Sequence, residues 1–305
     1  MDWQTQITEA ADRIAGHIVE TPVMRSDAFG PQIELKLEQA QHTGSFKTRG
    51  AFNTLLASDV PPAGVVAASG GNHGAAVAYA AQRLGHRARI FVPEIAGPAK
   101  IALIERTGAE LTVVPGEYAN ALELAQREAS ESGAMQVHAY DAALTVAGQG
   151  TVMREWEAQG LDADTILIAV GGGGLIAGAL AWLGDRRKVI AVEPMTASAL
   201  HAARNAGEPV DVAVSGVAAN ALGARRIGDI CFDLATAAGT ETVLVSDGAI
   251  IEAQQALWQA HRQLVEPAGA AALAALISGA YQPAPDERLA VLVCGGNIAP
   301  DPEFG

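Results

Sequence analysis

Lys47 stands in the run Thr43, Gly44, Ser45, Phe46, Lys47, Thr48, Arg49, Gly50, and four consecutive glycines, Gly171, Gly172, Gly173 and Gly174, follow far downstream. A lysine at a helix start can form a Schiff base once its amine is partly desolvated and held in place, whereas a solvated ammonium is a poor nucleophile. Four residues without Cβ let backbone N–H groups converge on an anion, and the N-terminus of the helix they open adds favourable partial charge. One segment therefore offers a covalent anchor and the other a phosphate cradle. Neither suffices alone, because most loop lysines are surface residues and a glycine run also suits a tight turn or a dinucleotide fingerprint. Glu193 lies about 20 residues beyond the glycines, so an NAD-binding reductase stays open on that segment.

Three further places could carry chemistry. Ser69, Gly70, Gly71, Asn72, His73 and Gly74 lie between a strand-like run and a helix-like one; loop amides there can bind a carboxylate, and helix capping by Ser69 or Asn72 is the competing reading. His73 reads as a structural residue rather than a base. Cys294 closes an apolar run and precedes Gly295, Gly296 and Asn297; it is either a functional thiol or a small buried hydrophobe. Glu193 and Pro194 end another run, and Ala221, Leu222, Gly223 and Ala224 form a loop.

The elements that must position these residues follow from hydrophobic periodicity. Strand-length apolar runs at 33–37, 64–68, 88–92, 110–114, 166–170, 189–193, 243–246 and 289–293 alternate with alanine-rich amphipathic stretches at 75–84, 118–130, 145–159 and 250–263. Buried-looking strands alternating with helices predict an α/β architecture with parallel sheets. At 305 residues the chain suits one large or two intimate domains. The net charge of -14 disfavours nucleic acid as a partner, since a polyanion would be repelled. No apolar run approaches the roughly 20 residues of a membrane span, and the start Met1, Asp2, Trp3, Gln4 lacks the basic-then-apolar order of a signal peptide. The two cysteines, Cys231 and Cys294, sit in apolar segments without metal-ligand spacing. No disulfide framework is expected, and a cytoplasmic location is.

Across residues 21–297 the order and wording of these segments resemble the serine/threonine dehydratases that depend on pyridoxal phosphate, the fold type II group that also contains serine racemase. The run from Lys36, Leu37, Glu38 through Gln41, His42 to Lys47 carries the resemblance most specifically. It implies two open, mostly parallel sheets flanked by helices, as in the β subunit of tryptophan synthase. Residues 1–53 and 144–305 would form a large cofactor-binding domain and residues 54–143 a small one, with the active site in the cleft between them.

The resemblance also implies roles. Lys47 would be the catalytic residue, and Phe46, Lys47, Asn72, the four glycines from Gly171 to Gly174, and Cys294 would contact the cofactor. Ser69, Gly70, Asn72 and His73 would bind a small amino-acid substrate. Serine racemase-like members carry a serine where this chain has Gly70, which removes the second acid/base group. Cysteine synthase-like enzymes usually read Ser-x-Lys-Asp-Arg, where this chain has Thr48 after Lys47. The expected activity is deamination of L-serine or L-threonine to a 2-oxo acid and ammonia. A bulkier 3-hydroxy amino acid, racemisation, or a catalytically silent binding protein on the same fold are the alternatives. Glu193 with the carbonyls of Ala197, Ala221, Leu222 and Ala224 would hold potassium or sodium; Ala199 stands where divalent-binding members have a second carboxylate. A homodimer is the expected assembly.

Overall fold

In a computed structural model that describes residues 1–298 apart from 31, 70, 97 and 117, the apolar runs pair into two sheets. Strands β1 (Val23–Ser26), β2 (Ile33–Leu37), β3 (Val65–Ala68), β4 (Ala88–Pro93), β5 (Glu110–Val114), β6 (Met135–Gln136), β7 (Thr165–Ala169), β8 (Lys188–Pro194), β9 (Glu241–Val245) and β10 (Leu289–Val293) follow in chain order. Among the described residues, one sheet runs β1-β2-β10-β7-β8-β9 and the other β5-β4-β3-β6. Among the described strands only β1 is antiparallel to its neighbour, pairing Val23 with Lys36 and Ser26 with Ile33. The remaining pairs are parallel, and the central strands β3, β7 and β10, buried along their whole length, read as near-continuous apolar runs for that reason. The expected α/β class with two mostly parallel sheets is what the chain adopts.

In the smaller sheet, side-chain alternation sorts the core. Val65 and Ala67 pack with Phe52, Leu55 and the helix Asn72–Leu84, whereas Val66 and Ala68 pack with Ala121 and Ala125 of the helix Tyr118–Ser132 on the opposite face. In the larger sheet β10 lies between β2 and β7, with Leu289 in register with both Ile33 and Thr165. The helix Ala143–Ala158 leads from the smaller sheet to the larger one and packs on the helices Lys47–Leu56 and Gly174–Leu183. A Cβ on Gly148 would lie 2.6 Å from the Gly50 Cα, so backbone meets backbone there.

Beneath the helix that starts at Lys47 lies a buried charge network. Arg49 donates to both Glu38 oxygens, from Nε at 2.9 Å and Nη2 at 2.7 Å, and its Nη1 lies 2.8 Å from Glu155. Lys36 donates to Glu155 at 2.6 Å and to the Thr21 carbonyl at 2.9 Å. Lys36, Glu38 and Arg49 are fully buried. Burial in this setting is tolerable only because every charge has a partner. No helix among the described residues is long and apolar enough to cross a membrane.

Candidate active site

The segment before Lys47 is stitched to the segment after β10. Ser45 and Gly295 form an antiparallel bridge, Phe46 N–H donates to the Cys294 carbonyl at 3.3 Å, and Gly296 N–H donates to the Gly44 carbonyl at 2.9 Å. Lys47 then begins its helix with its amine directed into a cavity, where Nζ donates to the Ala139 carbonyl at 2.8 Å and lies 5.1 Å from the Phe46 ring centre. Burial lowers the Lys47 amine to about 8, against the opposing pull of the Glu266 carboxylate. Desolvation thus shifts the amine toward its free base.

The four glycines form the opposite wall. They link β7 to the helix Gly174–Leu183, whose first turn leaves N–H groups without intrahelical partners. Gly173 has φ of 95°, and a Cβ on it would lie 2.5 Å from the Cys231 sulfur. A Cβ on Gly172 would lie 2.3 Å from the Tyr140 ring. Both positions thus require glycine, the first for conformation as well as space.

Asn72 and Cys294 complete the cavity lining together with Phe46, Ala221, Leu222, Glu266 and Ala268. The Asn72 amide is fixed on both sides, with Nδ2 donating to Glu266 and Oδ1 accepting from Asn297 Nδ2 at 2.8 Å. Capping by Asn72 is thereby ruled out: its helix has Gly71 at the N-cap position with no side-chain cap. The Cys294 thiol donates to the Ala268 carbonyl at 3.3 Å, and burial pushes its ionisation far up, so it remains a neutral, weak donor.

Ser69 and His73 flank Asn72. The Ser69 hydroxyl accepts from Gly71 N–H at 3.2 Å. His73 Nε2 lies 2.9 Å from the Val137 carbonyl and must carry the proton, while burial, reinforced by the Lys47 charge, lowers the ring to about 3. A neutral histidine spent on a backbone carbonyl is structural, as its sequence position suggested. Gly70 lies outside the described residues.

Glu193 is fully buried at the end of β8, and its two oxygens accept from Leu200 and His201 N–H, both at 2.8 Å. Burial raises it to about 7 despite those bonds. The carboxylate is thus turned to the start of the helix Ala199–Ala206, which leaves it poorly placed for a ribose on the glycine loop. Of the proposed carbonyl ligands, Ala221 and Leu222 sit beside the cavity, and the Leu222 carbonyl accepts from Ala224 N–H at 3.0 Å. Among the described residues no cluster of three His, Cys, Asp or Glu side chains could hold a metal.

Sequence reasoning did not single out Glu266, Ala139 or Tyr140. Pro267 at the first helical position marks the start of the helix Pro267–Ile277, so an N-cap carboxylate was visible at Glu266. Nothing local shows that it meets Asn72. The Ala139 carbonyl carries no residue-type signal at all.

A reactive amine, an anion-binding helix start and two neutral polar contacts on one cavity fit pyridoxal phosphate: Lys47 for its aldehyde, the glycines for its phosphate, Asn72 and Cys294 for its ring. Comparison with known proteins agrees. The model of the pyridoxal-phosphate dependent enzyme family matches residues 14–295. A phenylserine dehydratase from Ralstonia pickettii is 36% identical over 294 residues, covering 93% of this chain and 90% of that protein. The structure of maize serine racemase superposes with a TM-score of 0.92 at 30% identity, over 97% of this chain and 94% of the other. The structure of a T.th. threonine deaminase gives a TM-score of 0.89 at 34% identity, over 98% of this chain and 99% of the other. The dinucleotide reading is thereby set aside: the chain belongs to the pyridoxal-phosphate dependent enzymes of fold type II, and it is one of their lyases.

Proposed function

We propose that this enzyme deaminates L-serine or L-threonine to the 2-oxo acid and ammonia. The observation that carries the reading is the Lys47 amine, held at 2.8 Å from the Ala139 carbonyl on a cavity whose far wall is a helix N-terminus. When bound, pyridoxal phosphate supplies an electron sink conjugated to the substrate amino group. Lys47 Nζ is the group that removes the α-proton, because its lowered pKa leaves free base available near neutrality. The N–H groups at Gly171 to Gly174 bind the phosphate. Asn72 offers an N–H toward a ring oxygen, since Glu266 takes only one of its two hydrogens. The Cys294 thiol, whose hydrogen goes to the Ala268 carbonyl, would stand beside the ring nitrogen as a neutral group in place of a carboxylate. Ser69 and the loop amides around Gly70 and Asn72 receive the substrate carboxylate, with His73 supporting that loop from beneath.

A bulkier substrate is the second reading, favoured by the 36% identity to a phenylserine dehydratase along nearly the whole chain. Potassium or sodium held by Glu193 and the carbonyls of Ala197, Ala221, Leu222 and Ala224, and a cytoplasmic homodimer, belong to the same proposal. Two buried free cysteines support a reducing compartment.

Incubation with L-serine, L-threonine, 3-phenylserine and 3-hydroxyaspartate, with 2-oxo acid measured spectrophotometrically, is the direct test. The highest kcat/KM is expected for L-serine or L-threonine. Preference for 3-phenylserine would select the second reading, and no 2-oxo acid from any of the four would overturn both.

A further inference from the structure

The carbonyl that receives the Lys47 amine belongs to a short turn, residues 138–141, between β6 and the helix Ala143–Ala158. Both flanks of the turn are tied down. On one side Val137 N–H donates to the Val66 carbonyl at 3.0 Å, continuing the smaller sheet. On the other, Asp141 Oδ1 accepts from Ile230 N–H at 3.0 Å, and the Tyr140 hydroxyl donates to the Arg226 carbonyl at 3.4 Å. The middle is shaped by one side chain: His138 Nδ1 accepts from Asp141 N–H at 2.9 Å and from Tyr140 N–H at 3.3 Å. A ring nitrogen that accepts cannot also carry the proton, so His138 is the tautomer with hydrogen on Nε2. The peptide of Ala139 lies inside the loop that those two bonds close.

We propose that His138 is a positioning residue for Lys47: its Nδ1 holds the turn that aims the Ala139 carbonyl at the lysine amine. A lysine amine on a flexible four-carbon stem has many rotamers to choose among, and a fixed acceptor selects those that point into the cavity. Burial lowers the His138 pKa against the pull of Asp141, and the Lys47 charge acts in the same direction as burial. This inference rests on Lys47 being the Schiff-base lysine.

The test follows Schiff-base absorbance after pyridoxal phosphate is added to the cofactor-stripped full-length protein. His138→Leu, which has no acceptor, should slow the rise by about tenfold to a hundredfold. His138→Asn should stay near the wild-type rate, because asparagine can accept from N–H groups two and three residues on. Deoxypyridoxine phosphate, which lacks the aldehyde, should bind all three proteins equally. A wild-type rate in His138→Leu overturns the proposal. So does equal slowing in the leucine and asparagine variants, or weakened analogue binding in step with the rate, which would mark a general structural loss. Should His138→Leu not fold, nitrogen NMR of histidine-labelled wild-type protein decides: an unprotonated Nδ1 on His138 is expected, and an Nδ1–H tautomer overturns the assignment. Lys47→Ala run alongside separates the two ideas, because absorbance retained there would defeat the role of Lys47 itself.

Discussion

Ser45 pairs with Gly295, and through that bridge Lys47 and Cys294 come to line one cavity although they lie near opposite ends of the chain. The bridge is antiparallel and forms just past the end of β10, whose parallel pairing with β2 carries both segments to the same end of the sheet. The glycine loop follows β7, the other neighbour of β10, and therefore opens on the same end of the sheet. This is where open parallel sheets place their ligands.

Lys47→Ala should lose the Schiff-base absorbance and lower turnover by about three orders of magnitude or more, because one amine serves as anchor and proton carrier. Absorbance and steady-state assays check both together. A near-normal rate with the band retained would remove Lys47 from the chemistry.

Elimination should greatly outpace racemisation, since position 70, a serine in racemase-like members, is here a glycine with no acid/base side chain. Chiral chromatography after incubation with L-serine measures D-serine against pyruvate. Faster accumulation of D-serine would contradict the dehydratase assignment.

Cys294→Ser should keep most activity, and Cys294→Asp should impair it, because on the proposed placement of the cofactor a carboxylate would replace a buried neutral thiol beside the ring nitrogen. Comparison of kcat for the two variants is the measurement. Equally mild effects would place Cys294 outside the cofactor's reach.

Glu193 should make stability depend on pH and on cations. Its carboxyl, raised from 4.5 to about 7 in the folded protein, binds more protons there than in the unfolded chain across that window. Stability should therefore fall as pH rises through it, by up to about 3 kcal/mol. Potassium or sodium beside Glu193 would favour the ionised form and flatten the slope, with magnesium a poor substitute. Melting temperature against pH in each chloride salt, with a bulky organic cation as reference and Glu193→Gln as the control, tests this. Stabilisation by magnesium, calcium or manganese alone would defeat the monovalent site, and insensitivity to every salt would leave Glu193 as a helix-capping residue.

Arg49→Met should cost about 3–5 kcal/mol in urea denaturation, because Glu38 would be left buried without its cationic partner and Glu155 would keep Lys36 as its cation. Arg49→Lys should recover part of it. A loss below about 1 kcal/mol would show that the network does not hold the Lys47 helix in place.

By itself the sequence determined the class of the fold, the strands with unbroken apolar runs and the residues of unusual type. Ile33–Leu37, Glu110–Val114 and Leu289–Val293 form where their patterns predict; Leu289–Val293 is buried throughout and reads as an uninterrupted apolar run, whereas Glu110–Val114 is a largely exposed edge strand carried by its β-branched residues. Lys47, Asn72, Cys294 and the four glycines were legible because their chemistry is local to their side chains or to the absence of one. Tertiary structure decided the rest. The edge strand Val23–Ser26 and the two-residue strand Met135–Gln136 carry too short a pattern to declare themselves, and they exist through pairing with β2 and β3. Glu266 acquires its place through Asn72, and Ala139 through a backbone carbonyl whose direction is set by His138. A hydrogen bond between residues far apart, or to a main-chain atom that every residue possesses, leaves no mark on local composition; only the folded chain brings its two ends together.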